Sequence, residues 1–152
     1  CNPSTNLATS AVATFSGGST SSSYGPFRLN DGQLQSSCGF CWLKTGSYPA
    51  GAWVEYRWST PQPVARVWFD TTSAYYSSCG QSIGRNLAGG KIQYWTGSSY
   101  KTITTVSSRI TDWEVSFSQV STTRLRLYDL HATNITGLKM NPMIFEWRVF
   151  CQ

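Results

Sequence analysis

Thr122-Thr123-Arg124-Leu125-Arg126-Leu127-Tyr128 decides the fold class. Leu125 and Leu127 share one side of an extended chain, while Arg124, Arg126 and Tyr128 share the other. That period of two is the signature of a half-buried strand. Similar short runs recur on either side: Trp53–Trp58, Val64–Asp70, Lys91–Trp95, Tyr100–Val106, Asp112–Phe117 and Pro142–Phe150. Thr96-Gly97-Ser98-Ser99 joins two of them as a hairpin turn. Pro61 and Pro63 fall between two predicted strands, where a missing N–H costs nothing. No segment holds a helical period over three turns. Many strands at close spacing predict an all-β fold, an antiparallel β-sandwich or jelly roll.

The 152 residues suit one domain spanning 1–152, with no internal linker or repeat. Only 12% are charged and 14% are aromatic, which excludes a coiled coil or a disordered tail. No apolar run reaches a membrane span, and residues 1–20 lack a signal-peptide pattern, so the chain beginning at Cys1 reads as a mature or excised piece. The formal charge of +5 comes from scattered arginines rather than a basic block, which argues against nucleic acid as a partner.

Five cysteines favour an oxidising, secreted or cell-surface setting. A Cys1–Cys151 bridge would tie the two ends together. Cys38-Gly-Phe-Cys41 sits in a Gly/Ser/Trp loop rather than at a helix start, so it reads as structural, either paired with itself or through Cys79.

Three stretches are too long and too poor in strand signal to be simple turns: 32–52, Ser73–Gly90 and Leu130–Asn141. Function in a sandwich concentrates on such loops. Aromatic faces and planar polar groups on such loops are the side chains that stack on and hydrogen-bond to a ligand. The loops offer Trp42; Tyr75, Tyr76, Arg85 and Asn86; and His131 with Asn134. Each has a structural alternative: the tyrosines as a roof on the core, Arg85-Asn86 as a turn or salt-bridge anchor, His131 as a hydrogen-bonding strut, Trp42 as packing on a disulfide. Asn134-Ile-Thr136 is also a glycosylation sequon in a eukaryotic secretory setting. Seven carboxylates and no Gly-x-Ser-x-Gly elbow give no catalytic constellation, so the sequence is not read as an enzyme.

Trp53-Val-Glu-Tyr-Arg-Trp58, Pro63-Val-Ala-Arg-Val-Trp-Phe69, the Lys91–Ile103 hairpin, Asp112–Phe117, Thr123–Tyr128 and Ile144–Phe150, in that order, resemble the discoidin family. It is also called coagulation factor V/VIII type C, and carbohydrate-binding module family 32 is its lectin branch. Tyr24 through Asn30-Asp31-Gly32 is similar to its Asp-Gly loop, and terminal cysteines resemble the type C branch. The resemblance covers nearly the whole chain. It implies an eight-stranded galactose-binding-like jelly roll and non-catalytic recognition of glycans, galactose-type sugars or a polysaccharide, by loops at one end, with an attached enzyme domain as a further partner. It also implies a structural Ca²⁺ ion. Its side-chain ligands would be Asp31 and Glu146, with carbonyls from Arg28, Gln33, Ser36 and Phe145, a set of oxygens that suits a hard cation. The other branch implies an adhesion module for protein or anionic phospholipid, with Phe40, Trp42 and Leu43 as an apolar spike.

Overall fold

The computed structural model describes residues 1–17, 25–33, 42–43, 50–71, 86–107, 112–133, 139–140 and 142–152. Nine strand segments run through them, nearly all antiparallel neighbours of one another: β1 (Val12–Phe15), β2 (Trp42–Leu43), β3 (Trp53–Asp70), β4 (Leu87–Trp95), β5 (Tyr100–Val106), β6 (Asp112–Thr133), β7 (Lys139–Met140), β8 (Met143–Ile144) and β9 (Glu146–Phe150). The main sheet runs β1-β3-β6-β4-β5, with β9 added to β3 and β7 to β6, while β2 and β8 pair separately.

β3 and β6 form one long ribbon, from Trp53↔Tyr128 to Asp70↔Asp112. Its register shifts between Arg57 and Gln62 and again between Val64 and Arg66. Such bulges raise the local twist and let a ribbon bend. The first half of β3 is flanked by β1, and the matching half of β6 by β4; the second half of β3 takes β9. Tyr56 in the first half stacks on Trp147 of β9 at 4.4 Å, and Trp147 stacks on Phe69 of the second half at 5.2 Å. The ribbon therefore folds over itself into two facing layers, a β-sandwich whose core these rings fill. Val54, Leu125, Leu127 and Ile92 are fully buried beside them, as the alternation at Leu125 and Leu127 requires.

The structure redraws three expectations. The strands on either side of Pro61 and Pro63 are one continuous strand, because the bulge lets Pro63 sit opposite Ser121 without supplying an N–H to a regular ladder. Leu87–Gly90, read as loop, is strand: Ala-Gly-Gly carries little propensity, but pairing with His131 and Ala132 imposes the extended form. Leu130–Thr133 and Lys139–Met140, also read as loop, pair with each other for the same reason.

Polar ties hold the N-terminal segment and the termini. Asn6 Oδ1 accepts from Ala8 N and Val149 N, both at 3.1 Å. Trp58 Nε1 donates to the Leu7 carbonyl at 2.9 Å. A disulfide joins Cys1 to Cys151, 150 residues apart.

Candidate functional site

Two places carry the residues singled out in the sequence. The first lies where the 3₁₀ turn Pro26–Leu29 runs into Asn30-Asp31-Gly32 and meets the start of β9. Tyr56 sets the distance between these segments: its hydroxyl lies 2.8 Å from the carbonyl oxygens of both Leu29 and Trp147, with its one proton to donate to either. Burial, then the charges of Glu146 and Asp31, hold that phenol well above its ordinary pKa.

Glu146 has no exposed surface. One carboxylate oxygen, Oε1, accepts from Arg148 Nε at 3.4 Å, and the Gly32 amide also donates to this carboxylate. The other oxygen, Oε2, is buried with no hydrogen-bond partner among the described residues. Burial pushes the Glu146 pKa up to about 7; Arg148 pulls it down, and the negative charge of Asp31 pushes it up again. Asp31 accepts from Arg28 at 2.9 Å through Oδ2 and from the Gln33 amide at 2.9 Å through Oδ1. Gly32, at φ +77°, makes the turn between the two carboxylates in a backbone region that favours glycine.

The fold thus gathers Asp31, Glu146, Arg28, Gln33 and Phe145 in one place; Ser36 lies outside the described residues. Among the described residues no three His, Cys, Asp or Glu side chains converge, so a cation here would take two carboxylates and otherwise carbonyl oxygens. An orphaned, buried carboxylate oxygen facing a second carboxylate is a donor set that fits Ca²⁺.

The second place is the end of the sandwich where β3 stops, β4 begins and β6 meets β7. Register puts Leu87 opposite Ala132 and Gly89 opposite His131, so Asn86 and His131 lie at the same end of the β4–β6 pair. Asn86 is fully buried, and its Nδ2 donates to the Thr71 carbonyl at 2.7 Å, stitching β3 to β4. Its Oδ1 is buried without a partner. His131 is half-buried, its Nδ1 3.2 Å from the Asp129 carbonyl. The imidazole lies against Gly89: a Cβ there would stand 2.1 Å from His131 Cε1, so glycine is what lets the ring settle. Asp129 adopts φ +52°, and its Oδ1 accepts from the Gly51 amide at 2.9 Å. Tyr75, Tyr76, Arg85 and Asn134 lie outside the described residues, as do Cys38, Cys41 and Cys79. Trp42 is described as backbone, opposite Ile144 in the β2–β8 pair.

Sequence reading missed a polar-aromatic array on the outer face of the sheet. The Arg126 guanidinium lies 3.5 Å from the Tyr100 ring centre and 4.6 Å from that of Tyr128, and Arg124 lies 5.2 Å from Trp95. Tyr100 donates to Glu55, which also accepts from Arg57 Nε at 2.6 Å and is 1% exposed on what should be a solvent face. Burial and Glu55 raise the Tyr100 pKa. The alternation of Arg124, Arg126 and Tyr128 with the leucines was the available signal. It marked a face as polar without showing that rings from β4 and β5 cover it.

No family model matches the sequence, and no curated protein matches it. Solved structures do resemble it. A family 32 carbohydrate-binding module from Streptococcus pneumoniae EndoD aligns over 97% of this chain and 100% of its own, with TM-score 0.74 and 18% identity. Chitosan-binding module 1 of a chitosanase/glucanase from Paenibacillus sp. IK-5 aligns over 96% and 98%, with TM-score 0.69 and 17% identity. A Ruminococcus gnavus GH29 fucosidase, in complex with fucose, aligns over 96% of this chain but 26% of its own, with TM-score 0.70 and 16% identity. The chain has the discoidin-like, galactose-binding-like sandwich fold of family 32 modules.

Proposed function

We infer that this chain is a non-catalytic carbohydrate-binding module, recognising a glycan through the loops at the Asn86–His131 end of the sandwich. The observation that carries the reading is the extent of the likeness. The fold matches two carbohydrate-binding modules from end to end, yet accounts for only 26% of the fucosidase chain. His131, half-buried at that end, supplies a planar polar group of the kind that engages hydroxyls, while the fully buried Asn86 ties the start of β4 to Thr71. A Ca²⁺ ion between Asp31 and Glu146 would be structural: bound there, it would supply positive charge to the buried Glu146 carboxylate and the exposed Asp31, and pin the early loop to β9. The disulfide between the termini supports an extracellular setting.

Binding at a loop-formed site of this kind should be weak for one copy and strong for a multivalent display. A glycan array followed by titration with galactose and N-acetylgalactosamine tests the reading. Sugar-dependent signal that falls at least tenfold in His131→Ala, with the melting temperature kept, supports it. Absence of signal on any glycan, or signal indifferent to His131, overturns it.

A further inference from the structure

β4 runs from the Asn86–His131 end to Trp95, and at about 3.3 Å per residue the six steps from Gly89 cover roughly 20 Å. At that far end, where the β3–β6 ribbon bends, lies a groove of about 200 Å³ lined by Pro61, Trp95, Thr96, Gly97 and Ser121–Thr123. Its frame is built rigidly. Thr122, 2% exposed, has its Oγ1 2.8 Å from the Trp95 carbonyl and accepts from Arg124 N at 3.1 Å. Thr96 Oγ1 donates to the Ser99 carbonyl at 2.9 Å, closing the turn. Trp95 is half-exposed, braced by the Tyr100 ring at 5.0 Å and by Arg124.

Three features point to one ligand chemistry. A braced indole and a proline offer apolar wall to the C–H face of a pyranose. Ser121 and Thr123 line the groove with hydroxyls that make no protein hydrogen bond among the described residues. Arg124 donates to the Tyr100 hydroxyl but forms no ion pair among the described residues. The acid on this face, Glu55, is committed to Arg57 and Tyr100. An arginine beside an aromatic wall, with no carboxylate of its own, matches a sugar that brings one.

We propose that the Trp95 groove is a second saccharide site, selective for an acidic sugar whose carboxylate meets Arg124 while its ring rests on Trp95. It would stand at the opposite end of the sandwich from the His131 loops, so the two could engage one polysaccharide or two.

The test is calorimetric titration of the whole chain at low salt with tri-galacturonate and with its carboxyl-reduced, neutral counterpart. A charge-assisted pair should make the acidic trimer bind about tenfold tighter, with the advantage shrinking as salt screens it. Arg124→Gln should erase the difference between the two ligands, and Trp95→Ala should remove the tighter, salt-sensitive binding of the acidic trimer while leaving loop-end binding in place; the milder Arg124 variant decides if the tryptophan variant melts early. His131→Ala should leave this binding intact, which separates it from failure of the loop-end reading. Equal binding of both trimers to the wild type, an unchanged affinity in Arg124→Gln, or loss in His131→Ala would each overturn the proposal.

Discussion

Glu146 gives the proposed calcium site a thermodynamic signature that does not depend on any sugar. Without metal its pKa in the fold is about 7, against an ordinary value of 4.5. Below about pH 4.5 the carboxyl is protonated whether the chain is folded or not, and it has no effect on stability. Above pH 7 it is ionised in both states, and the folded state bears the cost of an ion buried beside Asp31. The difference corresponds to about 3 kcal/mol, lost as pH rises from about 4.5 to 7. For a domain of this size that is roughly a 6–12 °C fall in melting temperature. Calcium reverses the trend, because it competes with the proton for the same oxygens; at a hundred times its dissociation constant it returns about 2.7 kcal/mol. Thermal unfolding at pH 5 and pH 8, in EDTA and in excess Ca²⁺, should therefore give curves that nearly coincide at pH 5 and separate at pH 8. Glu146→Gln sharpens the test. It removes the buried charge, so its metal-free protein should melt higher than the wild type at pH 8, and calcium should no longer matter. Coincident wild-type curves at pH 8 refute the site, and so does a calcium effect that survives Glu146→Gln. A metal-free Glu146→Gln protein less stable than wild type at pH 8 would refute the electrostatic argument itself.

Gly89→Ala should push the His131 ring out of place and weaken glycan binding at the loop end about as much as His131→Ala, because the new Cβ would sit 2.1 Å from the imidazole; titration with the best array ligand checks it. Tyr56→Phe should cost about 1–2 kcal/mol in urea unfolding, since the hydroxyl proton that the Leu29 and Trp147 carbonyls share is lost from a dry core. Replacing Cys1 and Cys151 by serine frees a loop of 150 residues; denaturant midpoints should report a loss of about 4–5 kcal/mol on the chain-entropy account.

Much of the architecture was legible because the strands obey a period of two. Leu125 and Leu127 face the core, and Val64, Val67 and Phe69 fill the opposite layer. The register was not legible. Nothing in Trp53–Asp70 announces that a ribbon bends at Pro61 instead of ending there, since a bulge is fixed by what packs on either side of it. The same limit hid Leu87–Gly90, whose strand character belongs to its partner His131–Ala132. Of the sites, Asp31 and Glu146 were readable through a resemblance plus one physical oddity, a carboxylate among alternating apolar residues. Tyr56, which sets their spacing, was invisible as a polar residue because it reads as core, and its ring is core. The Trp95 groove escaped because four of its linings come from the ribbon bend, a feature of register and not of composition.

The bend and the loop end impose opposite demands on one ribbon, and that separation explains the placement of the rigid contacts. Sugar recognition by uneven loops needs a scaffold that does not yield when the loops adjust. In this chain the stiffening elements lie within the sheets that carry those loops and across the termini. The Tyr56–Trp147–Phe69 stack lies between the layers. The Glu55–Tyr100–Arg126 array crosses the outer face of the sheet from β3 to β5. The Cys1–Cys151 bridge joins the two termini. Asn86 is the exception, and an instructive one. Fully buried, it spends its amide N–H on the Thr71 carbonyl at the root of the loop that joins β3 to β4. The residue chosen from sequence as a sugar contact thus acts, in the fold, as a tie between the end of β3 and the start of β4, while His131 is half-buried.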